Sequence, residues 1–279
     1  MRQIKVAFFL ALLVAVFACF VYAQDSAGSF RFAVIADIQQ PHRANDYTDV
    51  TYRFIREIAA TDVDFVIIAG DLVANDADMA ETADRAWRQF DALVQPLYAL
   101  GKEIYAVPGN WDVGRANAAR GFDERFGKRY QAFAHKRAAF VLLDSEADRT
   151  AVRFRYLGWP QWRWLRTEPW REAARPDPAL LFTVIHRPVF RSEFRKLDWL
   201  NVTGYDQFDL ARFLARYRFA AVFAGHEHLY DHRIVNGVNY YITGGGGGGR
   251  LLPTGYREYL LVTADPPNRT FQVEVHRAR

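Results

Sequence analysis

Five short blocks set hard metal-ligand side chains at the ends of apolar, strand-like runs: Asp37-Ile38-Gln39, Gly70-Asp71, Gly109-Asn110-Trp111-Asp112, a lone His186, and Gly225-His226-Glu227-His228. Four of them close the runs FRFAVIAD, DFVIIAGD, LLFTVIH and FAAVFAGH, and the fifth follows EIYAVP. In an α/β sheet, side chains leaving the carboxyl ends of several strands converge on one crevice. Two Asp, an Asn, a Gln and three His make a mixed oxygen and imidazole donor set, suited to a pair of divalent ions and unlike a thiolate zinc finger. A two-metal site stabilises both the attacking and the leaving oxygen of an in-line displacement, so these residues point to hydrolysis of a phosphate ester.

In order, the blocks resemble the pattern of the calcineurin-like metallophosphoesterase superfamily: Asp-x-His, Gly-Asp, Gly-Asn-His-Asp/Glu, a lone His, then Gly-His-x-His. A Gly-Asp pair alone would recur by chance, whereas five blocks in order from Asp37 to His228 are specific. The resemblance implies an α/β fold, a four-layer α/β/β/α sandwich of two mixed sheets flanked by helices. It also implies two divalent ions, the first held by Asp37, Gln39, Asp71 and His228 and the second by Asp71, Asn110, His186 and His226, with Asp71 bridging. Two carboxylates against two such ions leave an excess positive charge that favours an anionic ester, attacked in line by a hydroxide held at the ions. Candidate metals are Mn, Fe, Mg or Zn. Gln39 stands where His is usual, and its harder amide oxygen shifts the expectation toward Mn or Fe. Gln39 could instead only hydrogen-bond beside an ion held by fewer ligands.

Trp111 departs further, standing where the family carries a His that protonates the leaving group or orients the phosphate. An indole N–H donates but cannot shuttle protons. Asn110, through its amide, and Asp112 are therefore the expected catalytic residues, and His42 and His232 are candidate proton donors from their closeness in sequence to the metal blocks. The opposing reading is a phosphate-ligand binding protein whose catalysis is weak or lost.

Other features admit two readings each. The run Gly244 to Gly249 follows the strand-like NYYIT; its backbone N–H groups could approach a phosphate, or it could be a plain flexible turn. Chains similar to purple acid phosphatases carry a Gly-rich turn at a comparable place, but their metal-ligating Tyr would fall at Ala74, so no purple chromophore is expected. Trp159, Trp162, Trp164 and Trp170 read as helix packing after Pro160, or as a stacking wall for a base or sugar. Glu227, between two ligand His residues on an extended segment, should point away from the metals.

The rest of the chain must position this set. Strand-like runs at residues 30–36, 63–69, 103–107, 138–143, 152–157, 180–185, 219–224, 238–242, 256–263 and 270–275 alternate early with helical spacings at 47–60 and 80–93, and a further helix is expected at 206–217. Early βα alternation followed by a strand-rich half suggests two packed sheets, with no internal repeat and no second domain. With 51% hydrophobic and 24% charged residues in a chain of 279, the composition is that of an ordinary globular protein. Residues 1–23 read as a signal peptide: Arg2 and Lys5 precede an uncharged apolar run that ends near Ala23. A retained N-terminal anchor, or lipidation at Cys19, is the alternative. Cleavage after Ala23 leaves residues 24–279 with 34 basic against 32 acidic side chains, a net charge of +2, and no cysteine. The expected location is periplasmic or secreted and the expected partner a small phosphate-ester substrate. That charge does not argue for nucleic acid, and no stable protein partner is inferred.

Overall fold

The structure, a computed structural model, describes residues 28–41, 44, 46–74, 80–147, 157–167, 170, 178–192 and 205–278. Residues 1–23, His42 and most of the strand expected at 152–157 lie outside the described residues.

Strand alternation sends successive side chains to opposite faces. In β1 (Phe30–Ile35), Phe30, Phe32 and Val34 enter one buried cluster, while Ala33 and Ile35 enter another. The first sheet is ordered β11 (Thr270–Arg277), β10 (Glu258–Asp265), β1, β2 (Phe65–Ile68), β3 (Glu103–Ala106). The second is ordered β4 (Gln131–His135), β5 (Ala138–Leu143), β6 (Leu180–Ile185), β7 (Ala221–Ala224), β9 (Val238–Thr243), β8 (Tyr230–Val235). Phe32 fills the space between the sheets, its ring 5.4 Å from Phe65, 5.1 Å from Phe140 and 5.5 Å from Phe182.

Helices α1 (Asp49–Ala59), α2 (Ala80–Ala99) and α4 (Ala116–Phe126) cover the outer face of the first sheet through Phe54, Ile58, Trp87, Phe90 and Phe122. Helices α5 (Gly158–Thr167) and α6 (Tyr205–Arg216) cover the second through Trp162, Leu165, Leu210 and Leu214. These are the four layers the resemblance implies. The N-terminus of α1 is fixed by Thr48, whose hydroxyl accepts the Thr51 N–H at 3.2 Å. Among the described residues, no helix is long and apolar enough to cross a membrane.

Four elements differ from the sequence expectation. Helix α2 runs six residues further, past Pro96, because Val94 and Leu97 still bury fully against the sheet. The edge strands β4 and β8 and the helix α4 were not anticipated. Gln131–His135 and Tyr230–Val235 carry polar groups on half-exposed edges, and Gly121 interrupts the helical pattern of α4.

For the site, direction matters most. Strands β1, β2 and β3 are parallel, as are β5, β6, β7 and β9. Their carboxyl ends deliver the five blocks to one crevice between the sheets.

Candidate metal centre

Loop backbones tie the blocks together before any side chain is considered. Asp37 N–H donates to Gly70 O at 3.0 Å, Gln39 N–H to Asp71 O at 3.0 Å, Gly225 N–H to His186 O at 3.0 Å, and Gly248 N–H to Asp37 O at 2.8 Å. Asp37, Asp71 and His226 adopt φ of +55°, +55° and +69°. This left-handed region is uncommon for non-glycine residues and costs on the order of 1–3 kcal/mol each. The turns thus reverse sharply at three of the expected ligands and aim their side chains into the crevice.

One group of donors gathers around His186. Its Nδ1 lies 3.0 Å from Ala69 O, which takes up the Nδ1–H and leaves Nε2 as the free ligand atom. That Nε2 is 3.2 Å from Asn110 Oδ1, 3.4 Å from Asp71 Oδ2 and 3.2 Å from His226 Nδ1. Atoms of Asp71, His186 and His226 lie within 4.8 Å of one another, close enough to share a cation. His226 is held from behind by Arg187, whose Nη1–H donates to Nε2 at 2.8 Å.

A second group surrounds Asp37. His228 directs Nδ1 to Arg250 O at 2.9 Å and holds Nε2 3.4 Å from Asp37 Oδ1. Asp37 Oδ2 accepts the His226 N–H at 2.8 Å. Asp37 Oδ1 and Gln39 Oε1 are buried without a hydrogen-bond partner among the described residues. Leaving such an oxygen unsatisfied costs roughly 1–3 kcal/mol, more when it is charged. A cation among Asp37, Gln39 and His228 removes that cost, so the residues present fit a metal in the first position as well as the second.

The six-glycine run is neither an open turn nor a free set of phosphate donors. Gly244 to Gly248 are buried, and the N–H groups of Gly244, Gly245, Gly246 and Gly248 donate to Leu229 O, Glu258 Oε1, Ala36 O and Asp37 O. A Cβ on Gly248 would lie 2.5 Å from Gln39 Oε1, and one on Gly249 1.9 Å from the His228 ring. The run therefore packs as a side-chain-free wall against the first donor group, which only glycine allows.

The electrostatics call for cations. Burial opposes the charged form of His186, but the neighbouring Asp71 carboxylate, with Asp37 and Glu146, outweighs it and raises the pKa to about 9. Burial pushes Asp37 above its ordinary value despite His228 and His186. Without metals the cradle is negative enough to protonate its own imidazole.

Asp112 is fully buried in the single turn α3 (Asn110–Val113). One carboxylate oxygen accepts the N–H groups of Leu72 and Val73 at 2.8 and 3.1 Å, and the other accepts that of Gly109 at 2.8 Å. Burial, then the charge of Asp71, lifts its pKa to about 7. Its geometry braces two loops. Trp111 is half-buried and donates its backbone N–H to Asp71 Oδ1. Glu227 points away from the cluster, its carboxylate accepting from Ser192 N and Oγ. His232 lies in β8 with Nε2 3.0 Å from Asn239 Oδ1 and its ring stacked 4.2 Å from Tyr241. Sequence reasoning missed the buried Arg187–Glu146 pair behind His226. The only local signal was an Arg beside a ligand His; its acidic partner sits 41 residues away.

Residues 30–230 match the calcineurin-like phosphoesterase family. No curated protein matches the chain. Among solved structures, the fold is similar to a purple acid phosphatase from yellow lupin (Lupinus luteus) seeds, with a TM-score of 0.68 and 17% identity over 90% of this chain and 52% of that one. It is also similar to GAP50, the anchor in the inner membrane complex of Plasmodium (TM-score 0.66, 13% identity, 89% of this chain and 84% of that one). A dimetal phosphatase from Danio rerio aligns at TM-score 0.61 and 14% identity, over 88% of this chain and 98% of that one. The chain spans about half the length of the lupin phosphatase. At these identities the likeness is one of fold, and the family match over most of the sequence carries the assignment: the chain belongs to the calcineurin-like phosphoesterases, a family of metal-dependent phosphoric ester hydrolases.

Proposed function

We propose that the protein is a dinuclear phosphoesterase that hydrolyses a phosphate mono- or diester outside the cytoplasm, in the periplasm or after secretion. The observation that carries this reading is the pair of partnerless buried oxygens, Asp37 Oδ1 and Gln39 Oε1, next to the Asp71, His186 and His226 cluster. A single ion at that cluster would leave both unsatisfied. Asp37, Gln39, Asp71 and His228 would hold one ion and Asp71, Asn110, His186 and His226 the other. Bound there, the ions would supply Lewis-acid charge and activate a water as nucleophile near neutral pH. The chain itself orients the cradle: Ala69 O and Arg250 O fix the tautomers of His186 and His228, and Asp112 locks the Gly109 turn that carries Asn110. Asn110 turns its carboxamide oxygen toward His186, which leaves the amide nitrogen for a phosphate oxygen. The leader-like residues 1–23 support the extracytoplasmic location.

Trp111 favours a second reading, a phosphate-ligand binding protein with feeble turnover, since no imidazole follows Asn110. GAP50, similar in fold, is an anchor. Incubation with manganese and aryl phosphate mono- and diesters separates the two. Metal-dependent release of the aryl alcohol establishes the esterase; tight phosphate binding without release establishes the binding protein.

A further inference from the structure

A cavity of about 900 Å³ lies at the β4–β5 edge of the second sheet, lined in part by Arg129, Tyr130, Asp144, Gln161 and Trp164. It sits at the same end of the sheet as the metal centre. Gln131 pairs with Leu142, and Leu143 pairs with Ile185, so Asp144 is level with His186 one strand away. Neighbouring strands are about 4.8 Å apart. The two places are also linked by polar contacts. Glu146 N–H donates to Asp144 Oδ1 at 2.7 Å, the Glu146 carboxylate binds Arg187, and Arg187 donates to His226.

The lining is specific. Gln161 clamps the backbone of Asp144 on both sides, accepting its N–H at 2.8 Å and donating to its carbonyl at 2.9 Å. The carboxylate is thereby held in place, only 2% of the residue is exposed, and Oδ2 has no partner among the described residues. Tyr130 and Trp164, with ring centroids 5.3 Å apart, form an aromatic wall. Arg129 is committed to Asp123 through two hydrogen bonds of 2.8 and 2.9 Å. A cationic ligand would meet Arg129 and Lys128, and an anionic one would meet a buried carboxylate; an uncharged flat ring suits the site.

We propose that this cavity holds the organic part of the ester, and that this part is an aminopurine- or aminopyrimidine-like ring whose amidine edge pairs with Asp144 and whose face packs on Tyr130 and Trp164. The inference deepens the phosphoesterase reading and rests on it for the word ester. Burial, with the charge of Glu146, raises the Asp144 pKa to about 7, so near neutrality the group can both donate and accept, as pairing with a ring nitrogen and its adjacent amine requires.

Calorimetric titration of the metal-free full chain with cytidine, uridine, adenosine and inosine tests it without turnover. Because Oδ1 already accepts the Glu146 N–H, it serves as the acceptor and Oδ2 as the donor. Cytidine and adenosine should therefore bind about 10- to 100-fold more tightly than uridine and inosine, whose ring N–H would face that donor. Asp144→Leu should abolish that preference, whereas Asp144→Asn, which keeps one donor and one acceptor, should retain it. Trp164→Ala should weaken all four nucleosides alike. Equal affinities within the two pairs on the wild-type chain, or no binding at all, overturn the proposal whatever the variants do. Because phosphate and metals are absent, nucleoside binding stands or falls separately from aryl-ester hydrolysis, which tests the esterase itself.

Discussion

The backbone N–H of Trp111 donates to Asp71 Oδ1 at 2.9 Å, so the residue that departs from the family pattern still grips the carboxylate expected to bridge the ions. Its side chain, with Asn110, Gly114 and Arg115, lines a cavity of about 310 Å³. Trp111→His should keep the backbone contact and add an imidazole. Turnover of an ester with a poor alkoxide leaving group is then expected to rise, by at most about 10²–10⁴-fold, while a nitrophenyl ester hardly changes. Equal losses on both esters, through a higher KM, would identify Trp111 as a wall of the substrate pocket.

Asp71→Ala is expected to lose both ions. Asp71 lies in reach of His186 and His226, and the resemblance makes it the ligand that both ions would share. Elemental analysis after dialysis reads the result, and full occupancy in the variant removes Asp71 from the bridging position.

Gly248→Ala should act on one ion alone. The added Cβ would lie 2.5 Å from Gln39 Oε1 and 2.6 Å from Gln39 O, and that backbone cannot step aside cheaply. Metal content should fall from two ions per chain toward one, with the His186 group still loaded. Unchanged content would mean that Gln39 is not a ligand.

Arg187→Met should destabilise the metal-free chain by about 3–5 kcal/mol, because it leaves the Glu146 carboxylate buried without its partner. The double variant Arg187→Met with Glu146→Leu should recover much of the loss. Urea denaturation of the four chains gives the coupling, and additive losses would show that the pair does not act as a unit.

Glu258 lies under the glycine run with Oε2 buried and without a partner among the described residues, and burial raises its pKa to about 8 from an ordinary 4.5. Between those values the folded chain holds a proton that the unfolded chain has lost, so stability falls as pH rises from about 4.5 to 8 and levels off above. For the metal-free chain the loss should total a few kcal/mol, because each tenfold difference in proton affinity between the folded and unfolded chains is worth roughly 1.4 kcal/mol. Glu258→Gln should remove most of that slope in thermal melts taken across the window. An identical slope in the variant would assign it to other groups.

The amino-acid order by itself determined that two packed sheets form and that the candidate ligands stand at the ends of their strands. Near-continuous apolar runs, each followed by a hard donor, specify both a buried strand and the loop that carries its candidate ligand, and those are local properties of the sequence before Asp37, Asp71, His186 and His226. The half-exposed edges β4 and β8 were illegible because Gln131–His135 and Tyr230–Val235 lack a clean apolar face. The tertiary structure alone decided the supporting roles. Asp112, a candidate catalytic group by sequence, is also a loop brace, because one of its oxygens meets the N–H groups of Leu72 and Val73, some 40 residues away. The glycine run, which read equally as a set of phosphate donors or as a plain flexible turn, became a buried wall because Gln39 and His228 press against it. Arg187 found Glu146 across two strands. Such roles depend on which buried polar groups find partners, and packing brings those partners from distant parts of the chain, where no local spacing records them.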